Sequence, residues 1–493
     1  MMRTVLIDPP EVGEHQVRFS WRVDPPSELY ARESFNLRFG DRLAPRELPE
    51  DIWWTVALLC LHVHWALLRP CRVELPVELP PGEREFWLRL IDAAVETLER
   101  TWGGRDLERS VELADRGPRL TPTAGPRRDR VALAFSGGKD SLATLGMLLE
   151  FGERPIAITT TSPMWPLADH GSPRRRTALE TVAARPDTEH VEVRSNLREC
   201  WDNSFAQRRG YPIAINELAD THLYLSAALA VGWARGAERI VLASEAEVQL
   251  NAGGDGAVIQ HPHFMYAAVT QRSLSRLLER RGISYGSLTY PMRAWQVSRL
   301  LWRRYPELRE LQYSCWRHDS GEGACSGCGD CLRIALTALD AGVDPGRAGI
   351  DADALFERMV EWKPELDDGE LPDARVKREL HGTVVRELAA VRTRRFAARL
   401  VRADPRRLAR RETRETVRNY ARLRGRIAPR AAEVPTPGYR HSWLTLVDER
   451  WRDRLEALLD SRFERAPESE DRPELERALS LIERITEPLG GGA

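Results

Sequence analysis

Short apolar runs alternate with amphipathic stretches through the middle of this chain. Residues 131–135 (VALAF) form an unbroken apolar run of strand length. Segments at 155–160, 189–193 and 239–243 predict three further strands. Leu142, Leu145, Leu148 and Leu149 follow the first run at helical spacing. Strand alternating with helix over residues 126–345 predicts an α/β fold, a parallel sheet with helices on both faces.

The flanks are patterned differently. Gln16–Trp21 alternates as a half-buried strand does, and Cys71–Leu79 (CRVELPVEL) reads as another. Helical periodicity runs from Glu85 to Thr101. Residues 1–125 are therefore predicted as an N-terminal α+β domain, and the polar run Arg116–Arg130 as a linker. Residues 346–493 predict a charged, mostly helical extension, with Ser469–Arg472 and Gly490–Gly492 flexible. The most apolar stretch, Trp53–Leu68, contains His62 and His64. It is short and polar for a membrane span and reads as a buried helix.

Composition bounds the rest. With 493 residues, 42% of them hydrophobic, the chain can hold two or three domains. A formal net charge of −1 gives no global field toward nucleic acid or membrane. Charge is local instead. Between Val391 and Arg430, 15 arginines face only Asp404, Glu412 and Glu415. That stripe is either a contact for RNA or a protein, or a face neutralised within the chain; Phe396 and Tyr420 alone could stack on bases. Met1-Met2-Arg3 leads into no apolar signal core, and seven cysteines do not make a secreted disulfide framework, so the expected location is the cytoplasm.

The chemistry begins where the first strand ends. Ser136-Gly137-Gly138-Lys139-Asp140-Ser141 joins that strand to its helix. Glycines let the backbone approach oxygen atoms closely, and helix N-terminal N–H groups favour negative charge. Of 73 basic residues only Lys139, Lys363 and Lys377 are lysines. A flexible ammonium placed in this turn suits a crowded phosphate. GxxxxGK[ST] is absent, so this is not a Walker A loop.

A second motif lies downstream. Cys315, Cys325, Cys328 and Cys331 are spaced C-x9-C-x2-C-x2-C, with Gly and Ser between the last three. Four thiolates so spaced suit a closed tetrahedral Zn2+ site, which is normally structural; an iron–sulfur cluster or a redox pair are the competing readings. Cys60, Cys71 and Cys200 lie scattered in apolar or helical contexts and read as core thiols.

The hexapeptide resembles the pyrophosphate-binding loop of the ATP pyrophosphatase (PP-loop) superfamily. With the cysteines about 175 residues on, residues 129–345 look like 7-cyano-7-deazaguanine synthase, a queuosine-biosynthesis enzyme. The resemblance implies an adenine-nucleotide α-hydrolase-like fold and cleavage of ATP to AMP and pyrophosphate. It also implies adenylation of a small-molecule carboxylate and its amidation, with adenine near Thr159–Thr161. The segment EAEVQLNAGGDGAVIQHPHF departs from that family. The overall layout is also similar to the ATP-dependent epimerases of UDP-N-acetylmuramoyl-L-alanyl-L-glutamate, in which an adenylated carboxylate would acidify its α-hydrogen. Transfer of the acyl group to a protein or tRNA, and a non-catalytic ATP sensor, stay open.

Ligands in such sheets bind beyond the carboxyl ends of the strands. That places Ser136–Ser141, Thr160-Thr161-Ser162, Asn196 and Ser244-Glu245 around one crevice. Ser136, Gly137, Gly138 and Thr160 are expected to bind ATP. Lys139, Asp140 and Ser141 are the candidate catalytic residues. Lys139 would stabilise developing charge, and Asp140 would either hold Mg2+ on the pyrophosphate or cap the helix. Glu217, Glu245, His261 and His263, with Asp220 and Glu247, are candidate substrate or acid–base groups. The oligomeric state is unspecified by these patterns.

Overall fold

The computed structural model describes every residue except 1, 103–110, 163–172, 209–219, 247–249, 253–257, 261–263, 314, 316–323, 365–381, 383, 434–437 and 491–493. The N-terminal strands are β1 (Arg3–Ile7), β2 (Glu11–Val12), β3 (Gln16–Asp24), β4 (Ser34–Arg38), β5 (Cys71–Leu75) and β6 (Val111–Asp115). Then come β7 (Arg130–Ala134), β8 (Ile156–Thr161), β9 (Glu189–Ser195), β10 (Ala237–Val241), the hairpin β11 (Leu250–Ala252) and β12 (Val258–Gln260), and β13 (Ser284–Gly286). The first helices are α1 (Glu50–Leu68), α2 (Glu83–Trp102), α3 (Lys139–Glu150), α4 (Pro173–Ala183), α5 (Asn203–Arg208), α6 (Asp220–Arg235), α7 (Ala268–Glu279) and α8 (Ala294–Arg304). They are followed by α9 (Pro306–Arg309), α10 (Gly329–Asp340), α11 (Ala352–Met359), α12 (Thr393–Ala403), α13 (Arg411–Ile427), α14 (Glu449–Asp460) and α15 (Glu468–Gly490).

All four strands expected between 126 and 345 are present, with β13 as a fifth. They lie parallel in the order β13-β10-β7-β8-β9. From the β9 side this is third-second-first-fourth-fifth along the chain, the doubly wound order. The direction of winding reverses between β7 and β10. Burial on both faces explains why β7 and β8 read as near-continuous apolar or small runs rather than alternating ones. Helix α6 packs across β7, β8 and β10, and α3 packs against α8.

The expected division near residue 125 is not a break in the sheet. Residues 1–125 do combine strands and helices, but β4 pairs antiparallel with β9, and the sheet runs on through β3, β1, β5 and β6. Two edges that would each expose unpaired N–H and C=O groups cover one another. One hydrophobic cluster accordingly extends from Val5 to Ile485. Helix α1 passes the length and hydropathy test for a membrane span, yet its whole apolar window is buried; it packs on α6. Buried Arg281, after α7, bonds both Glu83 oxygens at 3.0 and 3.1 Å and lies 3.2 Å from Asp51, joining α1 and α2 to the parallel half. Such a network holds register, because removing one partner strands a buried charge.

The C-terminal region is helical as expected and packs in two parts. Helices α11, α12 and α13 share a second apolar cluster with Cys315 and Cys331. Helices α14 and α15 return to the main body. Arg450 donates to both oxygens of Glu153 at 2.7 and 2.9 Å, and α15 packs on α7 and α2. Ser469–Arg472, expected to be flexible, is instead the first turn of α15. Asp471 is buried there and accepts from Ser442 Oγ at 2.6 Å. Gly491 and Gly492 lie outside the described residues.

Candidate functional site

The chain leaves β7 at Ala134, turns at Ser136–Gly138 and enters α3 at Lys139. Gly137 has φ +81°, a left-handed conformation that disfavours a side chain. The loop is laced by its own serines. Ser141 Oγ accepts from Gly137 N at 3.1 Å and donates to Gly138 O at 3.1 Å; Gly138 N donates to Ser136 Oγ at 3.3 Å. Asp140 is not the helix cap. That position is Gly138, with no side-chain cap, and Asp140 stands in the first turn.

Above the loop lies a cavity of about 330 Å3. Its walls include Ser136, Asp140 and Ser141, Thr160 from β8, Leu242 and Ala243 after β10, and Arg175, Tyr224, Tyr266 and Tyr313. It therefore spans the carboxyl ends of β7, β8 and β10, across the reversal of strand order. Helix α3 begins beside it, so its free N–H groups and dipole favour an anion there.

Lys139 is buried, and its Nζ lies 2.5 Å from Asp140 Oδ1 and 2.6 Å from Glu245 Oε2. Burial alone would lower this ammonium's pKa. The two carboxylates outweigh it and hold Lys139 above its usual range. Burial likewise pushes Asp140 up, but Lys139 and a hydrogen bond with Glu245 bring it below the usual carboxylate range. The cluster is thus a charged lysine between two acids, and Glu245 is a partner of the loop lysine.

Other expected residues divide. Thr160 lines the cavity, whereas Thr159 and Thr161 turn away. Thr159 Oγ1 donates to Phe135 O at 2.9 Å, and Thr161 Oγ1 to Glu192 at 3.1 Å. Asn196 does not reach the crevice; its Oδ1 accepts from Asn36 N at 2.8 Å where β4 joins β9. Asp220 pairs with Arg198 at 2.8 and 3.1 Å, and Arg198 donates to Tyr224 Oη at 2.6 Å. Ser244 Oγ donates to Tyr266 O at 2.5 Å. Glu217, Glu247, His261 and His263 lie outside the described residues. Two contributors have no signal near the motif. Arg175 Nε donates to Ser136 O at 3.3 Å, and Tyr313 N donates to Gly137 O at 3.1 Å.

Tyr313 leads two residues later to Cys315. The sulfurs of Cys315, Cys325, Cys328 and Cys331 all lie within 4.8 Å of one another. Cys325–Cys331 and Cys328–Cys331 are 3.8 and 3.6 Å apart. A tetrahedron with Zn–S bonds of ~2.3 Å has edges of about 3.8 Å, whereas a disulfide needs ~2.05 Å. The group could therefore hold a single metal ion such as zinc, and all four thiols are unbridged. Hydrogen bonds from the Cys328 and Cys331 thiols bring the Cys315 thiol down to about 4. Cys325 N and Cys331 N donate to sulfur at 3.3 and 3.5 Å. Cys328 is the N-cap of α10, so the cluster is built into that helix's first turn. Cys60, Cys71 and Cys200 are buried as expected, and burial pushes each thiol up to about 12. Comparison with protein-family models, curated proteins and solved structures finds no match for this chain.

Proposed function

We propose that the protein is an ATP-dependent, carboxylate-activating enzyme that releases AMP and pyrophosphate. The observation that carries this reading is the left-handed glycine turn at the reversal of strand order, opening a helix whose first residue is a buried lysine between two acids. The Gly137 and Gly138 N–H groups and the Ser136 and Ser141 hydroxyls, which bond one another across the loop, would exchange those bonds for the β and γ phosphates. Arg175 would add a fork-shaped donor, and Thr160 would face the nucleoside. Lys139 would neutralise charge as pyrophosphate departs. Asp140 and Glu245 offer the hard oxygen ligands that Mg2+ takes. In the reaction, a substrate carboxylate oxygen bonds to the α-phosphorus, and the bond from it to the oxygen bridging α and β phosphorus breaks. An amine then attacks the acyl carbon and AMP leaves with the electron pair. The four cysteines would hold structural Zn2+, a site with no position open for water.

The test is to incubate the protein with α-labelled ATP, ammonia and a panel of carboxylic acids. Acid-dependent AMP and pyrophosphate are expected. Recovery of ADP alone would refute the reading. Solvent-deuterium uptake into recovered acid, without amide, would redirect it to epimerisation.

A further inference from the structure

A second basic site forms away from the crevice, where β9 meets the N-terminal strands. Arg194 stands directly opposite Arg38, and Gln16 stands opposite Arg38 on its other side. Strand alternation puts Arg18, Arg38 and Arg194 on one exposed face, with His190 and Glu192 beside them. Val17, Leu37, Val191 and Val193 are buried on the other. The turn at Gly40–Arg42 closes one side. His15 Nδ1 bonds Gly40 O at 3.2 Å, and Arg235 Nη2 donates to Arg42 O at 2.7 Å. The recess so formed has a volume of about 580 Å3; its cationic lining is Arg38, Arg42 and Arg194, and His15 and His190 line it too, the latter held below the usual imidazole range by burial.

Two features set this recess apart from an ordinary solvated sheet face. Like charges directly opposite one another weaken a sheet, and Arg38 and Arg194 do so here. The single lining carboxylate, Glu192, is already engaged by Arg194 at 2.9 Å and Thr161 at 3.1 Å. Among the described residues no carboxylate pairs with Arg38 or Arg42. The one large hydrophobic residue lining the recess, Phe39, is buried, so the recess offers no exposed apolar anchor. Protein interfaces and bilayer surfaces use such anchors. The arginine-rich stretch at 391–430 is engaged within the chain only in part, since Arg392, Arg394, Arg395, Arg402, Arg411 and Arg414 stay exposed. Arg399 bonds Asp340 at 2.6 Å, Arg407 bonds Asp353 at 2.7 Å, and Arg424 and Arg430 bond backbone carbonyls at 2.9 and 3.2 Å.

We infer that the recess at the β9–β4–β3 junction docks the phosphate backbone of a nucleic acid. Guanidinium forks match phosphate oxygens, and nucleic-acid interfaces are polar and strongly positive. Thr161 is in register with Arg194, and its neighbour Thr160 lines the crevice, so the recess backs onto the strand that helps form the nucleotide cavity. The inference stands on its own geometry and does not require the proposed ATP chemistry.

The experiment is fluorescence anisotropy of the full chain with a labelled RNA hairpin and a single strand of about 20 nucleotides, over roughly 50–200 mM salt. Binding should weaken steeply with salt. Arg38→Glu with Arg194→Gln should weaken it at least about tenfold at low salt and make the salt slope shallower by about 1–2. Arg38→Glu alone should keep or raise the melting temperature, because it turns a repulsive pair into an attractive one. Arg414→Glu with Arg418→Glu, on α13, should leave binding unchanged. Absence of binding at low salt, binding indifferent to the recess variants, or loss only in the α13 variants would each overturn the inference.

Discussion

Lys139 carries the sharpest prediction of any single residue. Removing it leaves Asp140 and Glu245 facing each other without the ammonium between them, so Lys139→Ala should cost about 3 kcal/mol as well as turnover. The informative variant is therefore Lys139→Met combined with Glu245→Gln. It should recover most of the melting temperature while pyrophosphate release stays at least about 100-fold down. Recovery of release along with stability would show that the lysine serves the fold alone. Gly137 offers a second check. At φ +81° an added methyl group should cost roughly 1–2 kcal/mol by denaturant titration and disturb the loop's hydrogen bonds. The hexapeptide itself was readable because all its residues are contiguous. Glu245 was readable as a crevice residue but not as the ion-pair partner of Lys139, and Arg175 and Tyr313 were not readable at all, since each arrives from a different segment. Asn196 misled because a polar residue after a strand can serve the sheet as well as the site.

Among the elements, the four-cysteine turn and the glycine loop form one assembly. Tyr313 N holds Gly137 O, Cys315 lies two residues on, and Cys328 caps α10. Arg333 on that helix contributes to the field at Lys139 and Asp140, and is itself bonded to Asp330 at 2.5 Å. Cys328→Ser, or chelation, should therefore abolish stoichiometric zinc binding and weaken ATP binding by about tenfold, the worth of roughly one hydrogen bond. Elemental analysis and a nucleotide titration would check both. Unchanged nucleotide affinity in the metal-free protein would mean that the two elements are independent. Spacing made the four-cysteine group legible; the link to the loop depends on a backbone hydrogen bond that leaves no mark in the sequence.

For the whole molecule, the buried histidines of the α1–α6 interface set an acid limit on stability. Burial lowers His62 to about 4, only partly offset by hydrogen bonds to Leu58 O and Leu59 O. Burial, then the neighbouring His62 and His64, lowers His222 well below the usual range, and the His62 and His222 rings lie 4.8 Å apart. The unfolded chain binds protons on these groups below about pH 6.5 while the folded chain does not. Their contribution is thus complete above pH 6.5 and is lost as pH falls toward 4, about 3 kcal/mol for His62 alone. Denaturant midpoints across that range should decline, and His222→Leu should flatten the decline. An unchanged slope in that variant would assign acid sensitivity to other groups.

Sequence alone determined the strand–loop–helix unit, the four-cysteine group, the buried character of α1 and the helical C-terminus. Each depends on neighbours a few residues apart, where periodicity and spacing are physical constraints. Tertiary structure alone decided that β4 joins β9 into one sheet, that Glu245 faces Lys139, and that Arg38 meets Arg194. Those outcomes follow from edge pairing and charge contacts between segments over a hundred residues apart, which no local pattern encodes.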